Sequence, residues 1–574
     1  MKLFGTETRP FACWVLAALL MQTLWPASSV AGPGSDETAH SHRDHSHVDP
    51  AAPIVTGSDE QSAAQRRQQF IDRGRDLELE HRWGEAIGHY DKANREFPTD
   101  ALLYQRLSVA RLHHDVIRRM NDRSYLASIR RMERSQALDL YSEVLANLKA
   151  HFVEDLQWSR VQLFGTASLE VALTEDDFLQ RLLPSVPRER AIAFSKTIHG
   201  RLAGRSTATR FDLRANASYA AQIAEDELGL SQTATILEFL SGAVATLGTY
   251  TRLLSPDQLK DMYSDIDGNF VGLGVEVKAL ENALEIVSVI PGGPAEDVGL
   301  TAGQQIIAVD GVRSEDAGAN HIGDLLRGPE HSIVKLIVQN ADGGTHEVSA
   351  TRRRVEVPCV RDARMVDAEN GIGYLKLTNF QKSTPRDVDQ VLWKLHREKM
   401  RALIIDLRGN PGGLLPAAVD TVDRFIRDGR IVSTRGRNPR ENMDFIAHAP
   451  NTWDLPIAVL IDGESASASE VFAGAIADHR RGQIVGQKSY GKGRVQGVFP
   501  LQTANFGLLL TTSEFFPPSG RPIHHRGVQP SVVVSGPVRA AKVNLKKSLQ
   551  AQPADATLNA AIRSLAGPAM ISQR

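Results

Sequence analysis

Two stretches in the last third of the chain constrain its fold more than any other feature. Ala402-Leu403-Ile404-Ile405-Asp406-Leu407 reads as a central strand and passes directly into Arg408-Gly409-Asn410-Pro411-Gly412-Gly413-Leu414. Pro456 to Asp462 repeats the arrangement and leads into Gly463-Glu464-Ser465-Ala466-Ser467-Ala468-Ser469-Glu470, with a helical pattern from Glu470 to His479. Gly373 to Leu377 is another strand, and Thr384 to Met400 an amphipathic helix with Pro385 near its start. Strands alternating with helices over residues 371 to 535 predict an α/β layer.

The two loops carry the chemistry. A glycine-rich loop between a strand and a helix presents free N–H groups, suited to a phosphate or to a developing oxyanion. The spacing and lysine of a P-loop are missing, which disfavours phosphate. A serine on a turn entering a helix is exposed beside helix N–H groups, which suits a nucleophile. Helix capping by Ser467 or Ser469 would produce the same pattern. Lys492 lies between glycines in Ser489-Tyr490-Gly491-Lys492-Gly493-Arg494-Val495-Gln496. A lysine desolvated there loses its proton more readily and can serve as a general base. The alternative is an ordinary surface lysine at a hairpin.

The middle of the chain has a different texture, with short β-rich runs and glycine punctuation from Gly268 to about Pro358. Phe270-Val271-Gly272-Leu273-Gly274 runs into an alternating strand, and Pro291 to Gly311 reads PGGPAEDVGLTAGQQIIAVDG. This order resembles a PDZ domain. That resemblance implies that the Gly272-Leu273-Gly274 loop points backbone N–H groups at a peptide's C-terminal carboxylate while the peptide adds as a strand.

From residue 60 to about 250 the spacing of apolar residues is helical. Phe70, Gly74 and Leu77, followed by Ala86, Tyr90, Ala93 and Pro98, follow a tetratricopeptide-like pattern, though Arg73 departs from it and Met120 stands where a second copy needs a small residue. One such hairpin cannot bury its own face and is expected to cap neighbouring helices.

At the N-terminus, Lys2 and Arg9 precede an apolar run from Phe11 to Met21, and Ser29-Val30-Ala31 offers small residues for cleavage, so a secretory signal peptide and export to periplasm or medium are expected. An uncleaved anchor is the alternative, but the run is short for a membrane span. Cleavage would remove Cys13 and leave Cys359 alone. His40, His42, His45 and His47 form a cluster that could hold a metal loosely, but a solvated linker is the preferred reading and no metal is expected. The chain has 574 residues, enough for several domains, and a net charge of −2 argues against nucleic acid as a partner.

Taken together, GIGYLKLTNF, IIDLRGNPGGLL, ESASASEVFAGAIADH, GQKSYGKGRVQ and TTSEFFPPSGRPIHHRGVQPS, in this order after a PDZ-like module, resemble the C-terminal processing peptidases, or tail-specific proteases. The resemblance implies that Ser467 is the nucleophile, Lys492 its base and Gln496 the residue that orients the lysine. It implies an oxyanion hole from the N–H groups of Ala468 and of Gly412 or Gly413, with Asp478 in support. Ser531 and Glu464 are peripheral departures from the family pattern. No cofactor is implied, and the substrates are proteins or peptides with free C-termini.

The expected architecture is multidomain α+β, with a protease core of ClpP/crotonase-like type. Its parts are a signal peptide (1–31), a His-rich linker (32–60), a TPR-like region (61–135), a helical part of the protease (136–267), a PDZ domain (268–358), an α/β core (359–540) and a helical tail (541–574). This plan leaves room for an adaptor on the N-terminal helices and for a homo-oligomer. Two rivals stand beside it: a Ser-His hydrolase using His479, His524 or His525, and a non-catalytic tail-binding scaffold.

Overall fold

The computed structural model describes residues 57–534 and 555–566, apart from 246, 249, 281, 318–321, 324 and 449–451. The expected signal peptide and the histidine cluster lie outside the described residues. Among the described residues two compact units emerge: residues 57–256 with 498–510, and residues 257–497 with 511–534 and 555–566. The division between the units falls after Pro256, and the first unit takes in residues 498–510, a hairpin tip from within the sequence of the α/β core.

In the first unit, α1 (Gly57–Leu79) and α2 (Trp83–Glu96) form the hairpin read from the sequence. A Cβ on Gly74 would stand 2.2 Å from the Tyr90 ring, so only glycine lets these helices meet. Ala86, Tyr90 and Ala93 are fully buried. Their cluster is completed by Leu103, Leu107 and Ala110 of α3 (Ala101–Met120), which covers the face a lone hairpin leaves open. Next come α4 (Arg123–Arg131), α5 (Arg134–His151), α6 (Trp158–Ala172), α7 (Asp176–Leu182), α8 (Arg188–Leu202) and α9 (Arg210–Leu228). The last helix, α10 (Gln232–Ala245), is buried on every side, as a helix at the centre of a bundle must be. Its Gly242 faces Gly165 of α6, where an added Cβ would fall 2.7 Å from the Gly165 Cα. Then β1 (Arg252–Leu254) pairs antiparallel with 507–509.

The second unit opens with α11 (Pro256–Asp267) and β2 (Asn269–Gly272). A small antiparallel sheet follows in the order β3 (Val275–Ala279), β4 (Leu284–Val289), β5 (Gln305–Val309), β7 (Ile333–Gln339), β8 (Thr345–Thr351), with β6 (Val312–Arg313) beside β5 and the short helices α12 (Pro294–Asp297) and α13 (Ser314–Ala317) in its connections. The chain leaves through β9 (Arg353–Glu356), which pairs with β2, so entry and exit form a two-stranded stalk.

Beyond the stalk lies the predicted α/β layer. Its sheet runs β10 (Val360–Asp367), β11 (Ile372–Leu377), β12 (Ala402–Asp406), β15 (Ile457–Ile461), β16 (Gln483–Gly486), β19 (Val532–Val533). All neighbours are parallel except β10 with β11. β12 and β15 are buried at every residue, as central strands of a parallel sheet covered on both faces should be. Alternate side chains explain how. Leu403 and Ile405 join the helices α14 (Thr384–Arg397), α15 (Leu415–Asp423) and α16 (Ala468–Asp478) in one core, while Ala402 and Ile404 face α17 (Ala556–Ala566) in another. A second sheet pairs β13 (Arg430–Gly436) with β14 (Met443–Ile446) and with the second half of β18 (Gly507–Phe516), which β17 (Arg494–Pro500) flanks.

Candidate active site

Where β15 ends, the chain is bound tightly before it enters α16. Asp462 Oδ1 accepts N–H bonds from Gly409, Glu464 and Ser465 at 3.0–3.1 Å. Ser465 donates its hydroxyl to Leu407 O at 2.8 Å, and both Ala466 N–H and Ser469 Oγ donate to Asn410 O. These bonds stitch the serine turn to the glycine loop after β12. Ser467 itself has φ 56° and ψ −116°, a conformation costly for a residue with a Cβ. Strain of that kind costs about 1–3 kcal/mol and survives only where the surroundings over-determine it.

Glu470 supplies much of that determination. Its carboxylate is fully buried and accepts the Ser467 N–H at 2.9 Å, the Ser489 hydroxyl at 2.6 Å, the Gly491 N–H at 2.6 Å and the Lys492 N–H at 2.7 Å. Burial pushes its pKa up, and the four donors pull it back. Oε2 is shared by Ser467 and Lys492, so their backbone nitrogens can lie no further apart than the sum of those two bonds. The motifs read from the sequence leave Glu470 without a role, although the Ser-x-x-Glu spacing from Ser467 is a recognisable capping-box signal.

Lys492 donates from Nζ to Gln496 Oε1 at 2.8 Å. Both loop glycines are obligatory. At Gly412 (φ 109°) a Cβ would stand 2.8 Å from the Ser467 Cβ, and at Gly413 (φ 136°) 2.1 Å from Phe380 O. The Gly412 N–H donates to Asn410 Oδ1 at 2.9 Å.

Asp478 is not brought to this cluster. It stands at the far end of α16, about 16 Å along the helix from Ser467 at 1.5 Å per residue. There its carboxylate accepts the Ser519 N–H at 2.9 Å. His479, beside it, shares a hydrogen bond between Nε2 and Arg430 O at 2.7 Å. His524 is different, since its backbone and Cβ lie against Gly493, next to Lys492. Burial first, and then neighbouring His525, push its imidazole down to about 4.

In the small β-domain, Leu273 O accepts the Ala295 N–H and Gly274 O the Ile290 N–H, each at 2.8 Å. Gly274, at φ 79°, makes the turn into β3, and β3 is an edge strand of its sheet among the described residues.

A strained serine at a strand-to-helix turn, with a glycine loop alongside, is an arrangement shared by serine-type hydrolases. A model of peptidase family S41 matches residues 371–534, and a PDZ-domain model matches residues 285–340. A carboxy-terminal-processing protease of Bartonella bacilliformis is 37% identical over 309 residues, spanning 52% of this chain and 69% of that protein. A carboxyl-terminal-processing protease of Synechocystis sp. is 32% identical over 333 residues, spanning 57% of this chain and 75% of that protein. Among solved structures, a photosystem II D1 C-terminal processing protease aligns over 76% of this chain and 98% of its own, with 23% identity and a TM-score of 0.39. The chain belongs to the carboxyl-terminal-processing proteases, peptidase family S41, with a PDZ domain ahead of its peptidase segment.

Proposed function

We propose that this protein is an exported serine endopeptidase that captures protein C-termini on its PDZ domain and cleaves with a Ser467–Lys492 dyad. The observation that carries the dyad is the shared Glu470 oxygen, which holds the backbones of Ser467 and Lys492 together. Neutral Lys492 takes the proton as Ser467 Oγ attacks the scissile carbonyl. Gln496 Oε1 orients the lysine amine by accepting its hydrogen bond. The resulting oxyanion is met by the N–H groups of Ala468 and Gly413, since that of Gly412 is already engaged by Asn410. Lys492 then protonates the leaving amine, and water, activated the same way, hydrolyses the acyl-enzyme. Asp478 acts at a distance, by fastening the end of α16 to the loop at Ser519.

The edge position of β3 in its sheet and the turn at Gly274 support tail capture by strand addition. Export rests on the charged and apolar pattern of residues 1–31.

The test uses an unstructured protein ending in free apolar residues, and the same protein amidated at its C-terminus. Both are incubated with parent, Ser467→Ala and Lys492→Ala enzymes, and products are read by mass spectrometry. Cleavage by the parent alone, weakened by amidation, is expected. Activity that survives Lys492→Ala but is lost in His524→Ala would instead establish the Ser-His reading. Tail binding without cleavage by the parent would favour the scaffold.

A further inference from the structure

Helix α17 lies outside both segments that the family models match. It is nevertheless built into the sheet that carries the site. Its buried Ala561 and Leu565 pack with Tyr374, Ile404, Leu460 and Val485, on the face opposite α16. Asp555, just before the helix, accepts the Leu558 N–H at 3.0 Å and receives the Arg408 guanidinium through two bonds of 2.9 and 2.8 Å. The same guanidinium grips Asp406 at 2.6–3.2 Å. Asp406 is buried, and its carboxylate also accepts the Tyr374 hydroxyl at 2.8 Å and the Arg408 N–H at 2.9 Å.

Arg408 is thus clamped by its side chain and its backbone at the first residue of the glycine loop. From there the loop is a chain of short, directed links. Gly409 N–H reaches Asp462, Asn410 Nδ2 reaches Leu377 O, and Asn410 Oδ1 holds the Gly412 N–H. Leu414 N–H and Gly412 O close it on Phe380. A guanidinium held by one carboxylate can still tilt, whereas a planar fork held by two is fixed in plane.

We propose that Asp555 is a positioning residue for the oxyanion-donating loop, acting through Arg408, and that α17 thereby belongs to the active-site scaffold. This rests on the reading of Ala468 and Gly413 as the oxyanion donors. A misplaced donor weakens binding of the tetrahedral adduct more than binding of the substrate, because only the adduct develops the oxyanion charge.

The experiment compares full-length parent, Asp555→Asn, Asp555→Glu and Arg563→Ala, an exposed control on the same helix. A peptide aldehyde, which forms a tetrahedral adduct with the serine, and the corresponding peptide alcohol are used as inhibitors, alongside kcat, KM and thermal midpoint. The parent should bind the aldehyde more tightly than the alcohol. In Asp555→Asn that preference and kcat should each fall about ten-fold with KM little changed, since small displacements of catalytic groups have effects of this order or larger. Asp555→Glu should restore most of both, and Arg563→Ala should match the parent. A lower thermal midpoint with the parent's aldehyde preference intact would reduce Asp555 to a structural staple and overturn the proposal. So would failure of both Asp555 variants to yield folded protein. If the parent shows no aldehyde preference, the oxyanion reading itself fails, and the proposal falls with it.

Discussion

Each of the two units buries a glutamate, and the two are held in different ways. Glu238, on the central helix of the helical unit, meets a cation: Arg119 reaches it at 2.6 Å, with the Ser168 hydroxyl at 3.0 Å. Glu470, in the α/β layer, is held by three backbone N–H groups and one hydroxyl. Pairing with a guanidinium cancels the charge locally and ties α3, α6 and α10 together. Holding a carboxylate by oriented dipoles instead turns it into a gathering point for backbone, drawing in the serine turn and the lysine loop. The first arrangement stabilises a bundle. The second shapes a site, and it sits three residues into α16, where the helix dipole also favours negative charge.

The contrast can be broken by experiment. Glu238→Gln leaves the buried Arg119 without its counter-charge. It should lower the stability of the helical unit by about 3–5 kcal/mol, read by denaturant unfolding, with kcat of the folded protein unchanged. A matching loss of kcat in folded enzyme would erase the distinction. Glu470→Gln should act the other way. An amide cannot accept from all four donors, so the serine and lysine backbones drift apart and kcat should fall about 100-fold, for a smaller stability loss of about 1–3 kcal/mol. An active, merely less stable Glu470→Gln enzyme would show the carboxylate to be a staple like Glu238.

A third buried acid sharpens the picture by lacking such partners among the described residues. Burial pushes Glu170 up to about 8 from 4.5, and the nearest imidazole, His199 Nδ1, is 3.7 Å away. The folded state therefore keeps a proton that the unfolded chain releases. Its contribution is complete below about pH 4.5 and drains away as pH rises toward 8. The thermal midpoint of the helical unit should decline by a few degrees over that range, and Glu170→Gln should flatten the slope. A midpoint that rises with pH would contradict the assignment. The smallest effect is expected at the site's edge: His524→Ala should change kcat by no more than about two-fold, because an imidazole pushed down to about 4 is a poor base near neutrality.

Much of this site is legible in the order of residues. Ser467 and the paired glycines stand at strand-to-helix turns, which demand small or exposed residues, and Gln496, on β17, lies within side-chain reach of Lys492 in the loop before that strand. Asp478 is harder to place. The family resemblance carries it into the candidate site, but a helix converts a separation in sequence into length along its axis, and Asp478 ends up at the opposite end of α16. The sequence offers Gly412 and Gly413 equally as candidate oxyanion donors, and the Asn410 side chain occupies the N–H of Gly412.

The alternation of strands and helices, the glycines at positive φ and the serine turn follow from rules that act over a few residues, so the order of residues alone is enough to foresee them. Glu470 as a hub, Asp555 as the second carboxylate on Arg408, and the transfer of residues 498–510 to the helical unit depend on segments far apart in sequence. Periodicity carries no record of such partners. Their hydrogen bonds are directional and weaken steeply once the angle at the hydrogen falls below about 120°, so only the packed chain could decide which groups meet.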